Sequence, residues 1–162
     1  MSDRGRYQYR PVPPSSFPTR QHAQGLPEGY LQKGYFDPKG NLWPEVIQAW
    51  PEEIAQLFKM QGLSSTQLRR FFNRARTLEM QLDSGIKAFD RLKEDLLVLT
   101  TLAAASVGKG NAPELFKTFM DRNVDITVKF PDSRAFKRGF LNHLQSLIAY
   151  LKYYEAKRGG NR

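Results

Sequence analysis

Hydrophobic residues recur along most of this chain at spacings of three and four, the period of an amphipathic helix. The clearest case is Leu68, Phe71, Phe72, Ala75, Leu78 and Leu82. At about 100° per residue these share one face roughly 120° wide. Ser64 or Ser65 can cap the free N–H groups at its start, which predicts a helix from about Ser65 to Leu82, ending near Ser84-Gly85. Before it, Pro44 suits a helix start and Gly62 a stop. Pro51 predicts a break near Ala49–Trp50, dividing this stretch into a short helix and a longer one.

After it, Phe89, Leu92, Leu96, Leu99 and Ala103 mark a helix over about Ile86–Val107. Leu97, Val98 and Leu102 widen its stripe, which predicts a central place in a bundle. Leu115, Phe116, Phe119 and Met120 mark a shorter helix from Pro113 to about Asn123. From 125 to 131 the pattern is ambiguous, because Val124, Ile126, Val128 and Phe130 alternate as in an extended segment. Phe136, Phe140, Leu144, Leu147, Ile148, Leu151 and Tyr154 then give a last long helix, capped by Asp132 or Ser133 and reaching about Lys157. The expected fold is all-α, a compact bundle of about five helices over residues 30–158. Residues 1–29 hold five of the ten prolines with Arg4, Arg6, Arg10 and Arg20, and no periodicity, which predicts a disordered basic tail. Residues 159–162 are expected to be disordered too. Tyr35, Phe36, Trp43 and Trp50 fall in a turn-rich lead-in, suited either to packing on the bundle's end or to a protein partner.

Charge sharpens this picture. The 162 residues carry a formal net charge of +9, concentrated over 64–82 (+3) and 129–162 (+6) with a near-neutral middle. Such a distribution points to a polyanion. On the Ser65–Leu82 helix, Arg70 and Arg74 form one ridge beside the apolar face, Arg69 and Arg76 another. Arg70 and Arg74 lie about 6 Å apart along the axis, near the spacing of successive phosphates, and a guanidinium can grip two phosphate oxygens. Gln67, one turn earlier, can add a neutral hydrogen bond. Arg69 and Arg76 can instead cover the core's edge or pair with Glu79 or Asp83. Lys109 sits in the Gly108–Asn111 turn, open to a close-approaching strand. Arg134, Arg138 and Lys152 share a face of the last helix, as phosphate contacts or as a solvated surface.

Catalytic chemistry finds no support. With no cysteine there is no thiolate ligand or nucleophile, and His22 and His143 stand without ligand spacing. Glu52-Glu53 and Glu94-Asp95 are adjacent pairs that diverge around a helix. No P-loop or G-x-S-x-G is present. A non-enzyme without cofactor or metal, in the cytoplasm and away from membranes, is the expectation.

Two segments then carry a resemblance. Gly34-Tyr35-Phe36-Asp37-Pro38-Lys39-Gly40-Asn41-Leu42 resembles the N-terminal signature of the small subunit of type III-A CRISPR (Csm) effector complexes. Ser64-Ser65-Thr66-Gln67-Leu68-Arg69-Arg70-Phe71-Phe72-Asn73 resembles that family's S-S-x-Q-L-R-[KR]-F-[YF] motif. Leu102–Lys109 and Ala149-Tyr150-Leu151-Lys152 match more loosely, the former with Ala104-Ala105 where an aromatic is usual. The resemblance implies a non-catalytic antiviral subunit, present in several copies inside a filament of crRNA-binding backbone subunits. It also implies contact with the guide and target RNA, with neighbouring copies and with the large polymerase-like signalling subunit. RNA contact would fall to Gln67, Arg69, Arg70, Arg74, Arg76, Lys109, Arg134, Arg138 and Lys152. The alternatives are a helical protein-interaction adaptor, or a small DNA-binding regulator with Gly62 in a helix-turn-helix.

Overall fold

The computed structural model describes residues 25–157, so residues 1–24 of the tail expected over 1–29, and the C-terminus expected to be disordered over 159–162, lie outside the described residues. Every described element is helical: α1 (Pro44–Ile47), α2 (Ala49–Met60), α3 (Ser65–Asp83), α4 (Phe89–Gly108), α5 (Glu114–Lys129), a π-helical stretch Ala135–Phe140, and α6 (Leu141–Lys157). With α1 a single turn and the π stretch running into α6, this is the expected five-helix bundle.

Local chemistry sets most boundaries. Pro44 opens α1 at a position whose N–H would be unpaired in any case. The break falls at Gln48 (φ −116°, ψ −80°), one residue before the Ala49–Trp50 stretch where the sequence predicts it. The reason is steric. The ring of Pro51 is tolerated in the first turn of α2, but a continuous helix would drive it into the carbonyl of Ile47, four residues back. Gly62, at φ +87°, ends α2. A reciprocal capping box opens α3. The Gln67 N–H donates to Ser64 Oγ (3.2 Å), and the Ser64 N–H donates to Gln67 Oε1 (2.8 Å).

Three expectations are corrected. The ambiguous 125–131 stretch is not extended; α5 continues through it to Lys129. Buried Asn123, Val124 and Thr127 prolong the inward stripe of Phe119 and Met120, and the helix stops where Phe130 precedes Pro131. The α4 helix is peripheral, not central. It buries Leu92, Leu96, Leu99 and Ala103 against α3 and α5 but leaves Leu97 and Val98 half exposed. The central element is α6, packed against α2, α3 and α1. Finally, the last helix begins as a π-helix, and its wider turn brings Gly139 against the ring of Tyr35.

The core joins Phe58 of α2, Phe116 and Phe119 of α5, and Leu144, Leu147 and Leu151 of α6, all fully buried. Phe58 meets Phe116 and Phe119 edge-on at 6.0 and 5.7 Å, and Phe71 meets Phe116 at 4.7 Å. The lead-in is part of this core. Pro27, Tyr30, Leu31 and Tyr35 are buried, so Tyr35 is a packing residue, while Phe36, Trp43 and Trp50 are half-buried.

A buried polar network locks the lead-in down. The carbonyl of Val46 can only accept, so His143 Nδ1 carries the proton and donates to it (2.6 Å). Nε2 then accepts from the Tyr30 hydroxyl (2.6 Å). Asn123 Nδ2 donates to the Tyr30 oxygen (2.8 Å), and Asn123 Oδ1 accepts from Tyr35 (2.7 Å). Burial holds the His143 pKa down to about 4, so the imidazole is neutral in the fold.

Candidate nucleic-acid interface

The placement of the candidate cations follows from how α3 is wedged into the bundle. Its C-terminal end meets the π-helical stretch, where Asp83 pairs with Lys137. Its N-terminal end meets the far end of α6, where Glu155 accepts from the Ser65 N–H and hydroxyl (both 2.7 Å). On its other flank runs α4, antiparallel to it. Gln67 Nε2 donates to the carbonyl of Asn111 (2.7 Å), which ties the Gly108–Asn111 turn to the first turn of α3.

This arrangement separates the two arginine ridges. Arg74 lines a groove with Thr77 and Leu78 of α3 and Asp95, Val98, Leu99 and Leu102 of α4. Arg70 lies one turn earlier on the same side, and Lys109 closes that side at the end of α4. All three are exposed, and none of their side chains has a hydrogen-bond or ion-pair partner among the described residues. Arg74, Arg70 and Lys109 therefore follow one another along the α3–α4 seam. The second ridge faces α6, on the shoulder that carries Asp83. Arg76 is paired there with Glu79, while Arg69 is exposed.

Gln67 is differently placed from the arginines beside it. Its Oε1 serves the capping box and its Nε2 the Asn111 carbonyl, so both ends of the amide are engaged inside the protein.

At the opposite end of the bundle, Arg134 and Arg138 gather around a shallow cleft lined also by Phe36, Asp37, Pro38, Lys39, Gly40 and Phe130. Arg138 lies over the Phe36 ring at 5.4 Å and Arg134 over Phe130 at 5.6 Å. Arg134 also donates to Asp132 at 3.1 Å, and this bond lowers the carboxyl's pKa while raising that of the guanidinium. The turn bearing Lys39 is rigid: Asp37 Oδ1 accepts from the N–H groups of Lys39 (2.8 Å) and Asn41 (3.0 Å). Lys39 was not singled out from the sequence, although its Asp-Pro-Lys-Gly turn was legible. Lys152, exposed near the C-terminus of α6, lies four turns from Arg138 and does not join this cleft.

Among the described residues no group of three or more His, Asp or Glu side chains could hold a metal ion, and no helix is long and apolar enough to cross a membrane.

No curated protein matches the chain, and no solved structure matches it. A family model described as Csm2 Type III-A matches residues 44–157, from the first residue of α1 to the last of α6. The Gly34–Leu42 turn precedes the matched range, whereas the Ser64–Asn73 motif, Lys109 and the Arg134/Arg138 pair fall inside it. A match over well over half of the chain, on a helical bundle with the capped arginine helix in place, means that this protein belongs to the Csm2 family, the small subunit of type III-A CRISPR complexes.

Proposed function

We propose that this subunit holds guide–target RNA by contacts to the sugar-phosphate backbone, without reading bases and without cutting. In this reading it lines the interior of the filament, beside backbone subunits, further copies of itself and the large polymerase-like signalling subunit. Membership of a non-catalytic small-subunit family supports the absence of a cleavage step. The observation that carries RNA contact is the seam. Arg74, Arg70 and Lys109 project in series from two antiparallel helices, exposed and without ion-pair partners among the described residues. Unpaired cations fixed on a rigid scaffold are suited to displacing counterions from a phosphate chain. The cleft cations Lys39, Arg134 and Arg138 offer a second point of contact; Arg69, Arg76 and Lys152 are weaker candidates, and Gln67 serves the scaffold.

The test is the salt dependence of binding between the full chain and single-stranded RNA. Replacing Arg70 and Arg74 by alanine should leave the thermal unfolding midpoint unchanged and weaken binding. The slope of log K against log salt should fall in magnitude by about 1.4, two contacts at about 0.7 each. An unchanged slope would overturn the seam as the RNA path. Tight association with Csm subunits that persists at high salt and ignores RNA would instead indicate a protein-interaction adaptor.

A further inference from the structure

One surface of the molecule differs in character from the rest. Glu28, Gly29, Gln32, Lys33, Trp43, Glu45 and Trp50 line a cleft of about 370 Å³ between the lead-in and the start of α2. Its walls are the chain's only two indoles, and its charged side chains are two glutamates and one lysine on a protein of net charge +9. The cleft is rigid. Trp50 packs edge-on against Tyr30 at 5.3 Å, and Tyr30 is held by His143 and Asn123. Lys33 lies 5.8 Å from the centre of the Trp43 ring. The Trp43 Nε1–H is buried and has no hydrogen-bond acceptor among the described residues. A buried indole N–H without an acceptor is costly, because the group has left water and gained nothing in exchange.

We propose that this cleft is the docking site for the chain's own proline-rich segment Arg10-Pro11-Val12-Pro13-Pro14. Three independent features select that occupant. Chemistry is the first: proline-rich sequences favour an extended backbone whose rings fill aromatic-lined grooves, and Trp43 and Trp50 line this one. Charge is the second. Residues 1–24 carry Arg4, Arg6, Arg10 and Arg20 against the single acid Asp3, whereas Glu28 and Glu45 edge the cleft. Reach is the third. The described chain begins at Gly25, three residues from Glu28 on the cleft wall. The stretch from Pro14 to Glu28 can cover up to about 46 Å at full extension, enough to reach the cleft, and a tethered segment meets its site at a high effective concentration, so a weak intrinsic affinity suffices.

Docking would cover both tryptophans and keep the N-terminal arginines beside an acidic wall, away from RNA. Because Trp43 and Trp50 are the only tryptophans, intrinsic fluorescence reports on the cleft directly. The full-length variant P11A/P13A/P14A should shift the emission to longer wavelength and raise acrylamide quenching, with far-ultraviolet circular dichroism unchanged. R10E should give part of the same shift, and R10E combined with E45R should reverse it. The wild-type signal should not vary with protein concentration. Emission and quenching identical in the proline variant and the wild type would overturn the proposal. A signal that depends on protein concentration would also overturn it, assigning the cleft to a second copy. Quenching protection in the wild type that appears only when RNA or other Csm subunits are added would do the same, assigning the cleft to a different partner.

Discussion

His143 shows how one residue ties parts of the chain distant in sequence into a single cooperative unit. Its two ring nitrogens join Val46 to Tyr30, and through Asn123 to Tyr35, all out of contact with water. Burial keeps its pKa at about 4 in the fold against 6.5 for an ordinary histidine. Between these values the unfolded chain binds the extra proton and the native state does not. The contribution is therefore complete above pH 6.5 and is lost progressively as the pH falls toward 4. The loss is on the order of a few kcal/mol. Urea unfolding at pH 7.5 and pH 4.5 checks this: the free energy should be lower at the acidic pH, and His143→Leu should flatten that part of the profile. A wild-type stability that rises between 7.5 and 4.5 would contradict a neutral buried imidazole.

At the scale of the element, the π-helical start of the last helix is the least regular feature, and Gly139 explains its position. A Cβ built there would come within 2.5 Å of Tyr35 Cδ2 and 2.6 Å of Cγ. Any side chain at 139 therefore displaces the Tyr35 ring, whose hydroxyl is committed to Asn123. Gly139→Ala should lower the thermal midpoint, even though alanine in a regular helix gains about 1 kcal/mol over glycine. A raised midpoint would mean that the lead-in yields easily and that the Tyr35 contact contributes little. The same logic explains why Arg138, on the exposed side of this π turn, stacks on Phe36 of the lead-in.

For the whole molecule, the stronger candidate contacts fall into two groups, Arg70, Arg74 and Lys109 on the α3–α4 seam, and Lys39, Arg134 and Arg138 around the cleft beside Phe36 and Phe130. The cleft cations differ from those of the seam because Arg134 already shares its charge with Asp132. Replacing Arg134 and Arg138 by alanine should therefore reduce the salt slope of RNA binding by less than the Arg70/Arg74 pair does, by about 0.7 if only Arg138 meets a phosphate. Parallel titrations of the two double variants against one RNA distinguish the regions. An equal or larger drop for the cleft pair would move the principal contact there.

Helical class, number of helices and the capped arginine helix were legible in local spacing, because an amphipathic period and a capping box are properties of a few adjacent residues. Ser64 and Gln67 illustrate this, as does the separation of the four arginines into two ridges. What could not be read locally depended on partners distant in the chain. The alternation of Val124, Ile126, Val128 and Phe130 suits strand or helix until a facing core selects one. The apolar width of α4 suggested a central helix, yet Leu97 and Val98 are half exposed because α6 holds the centre. Proximity of Lys39 to Arg134 and Arg138 required the lead-in to fold back across nearly a hundred residues. Sequence alone thus determined the elements and which face of each is apolar, since both follow from helical periodicity. Only the tertiary structure decided which cations stand together and which are paired, since those depend on how α3 lies between α4 and α6.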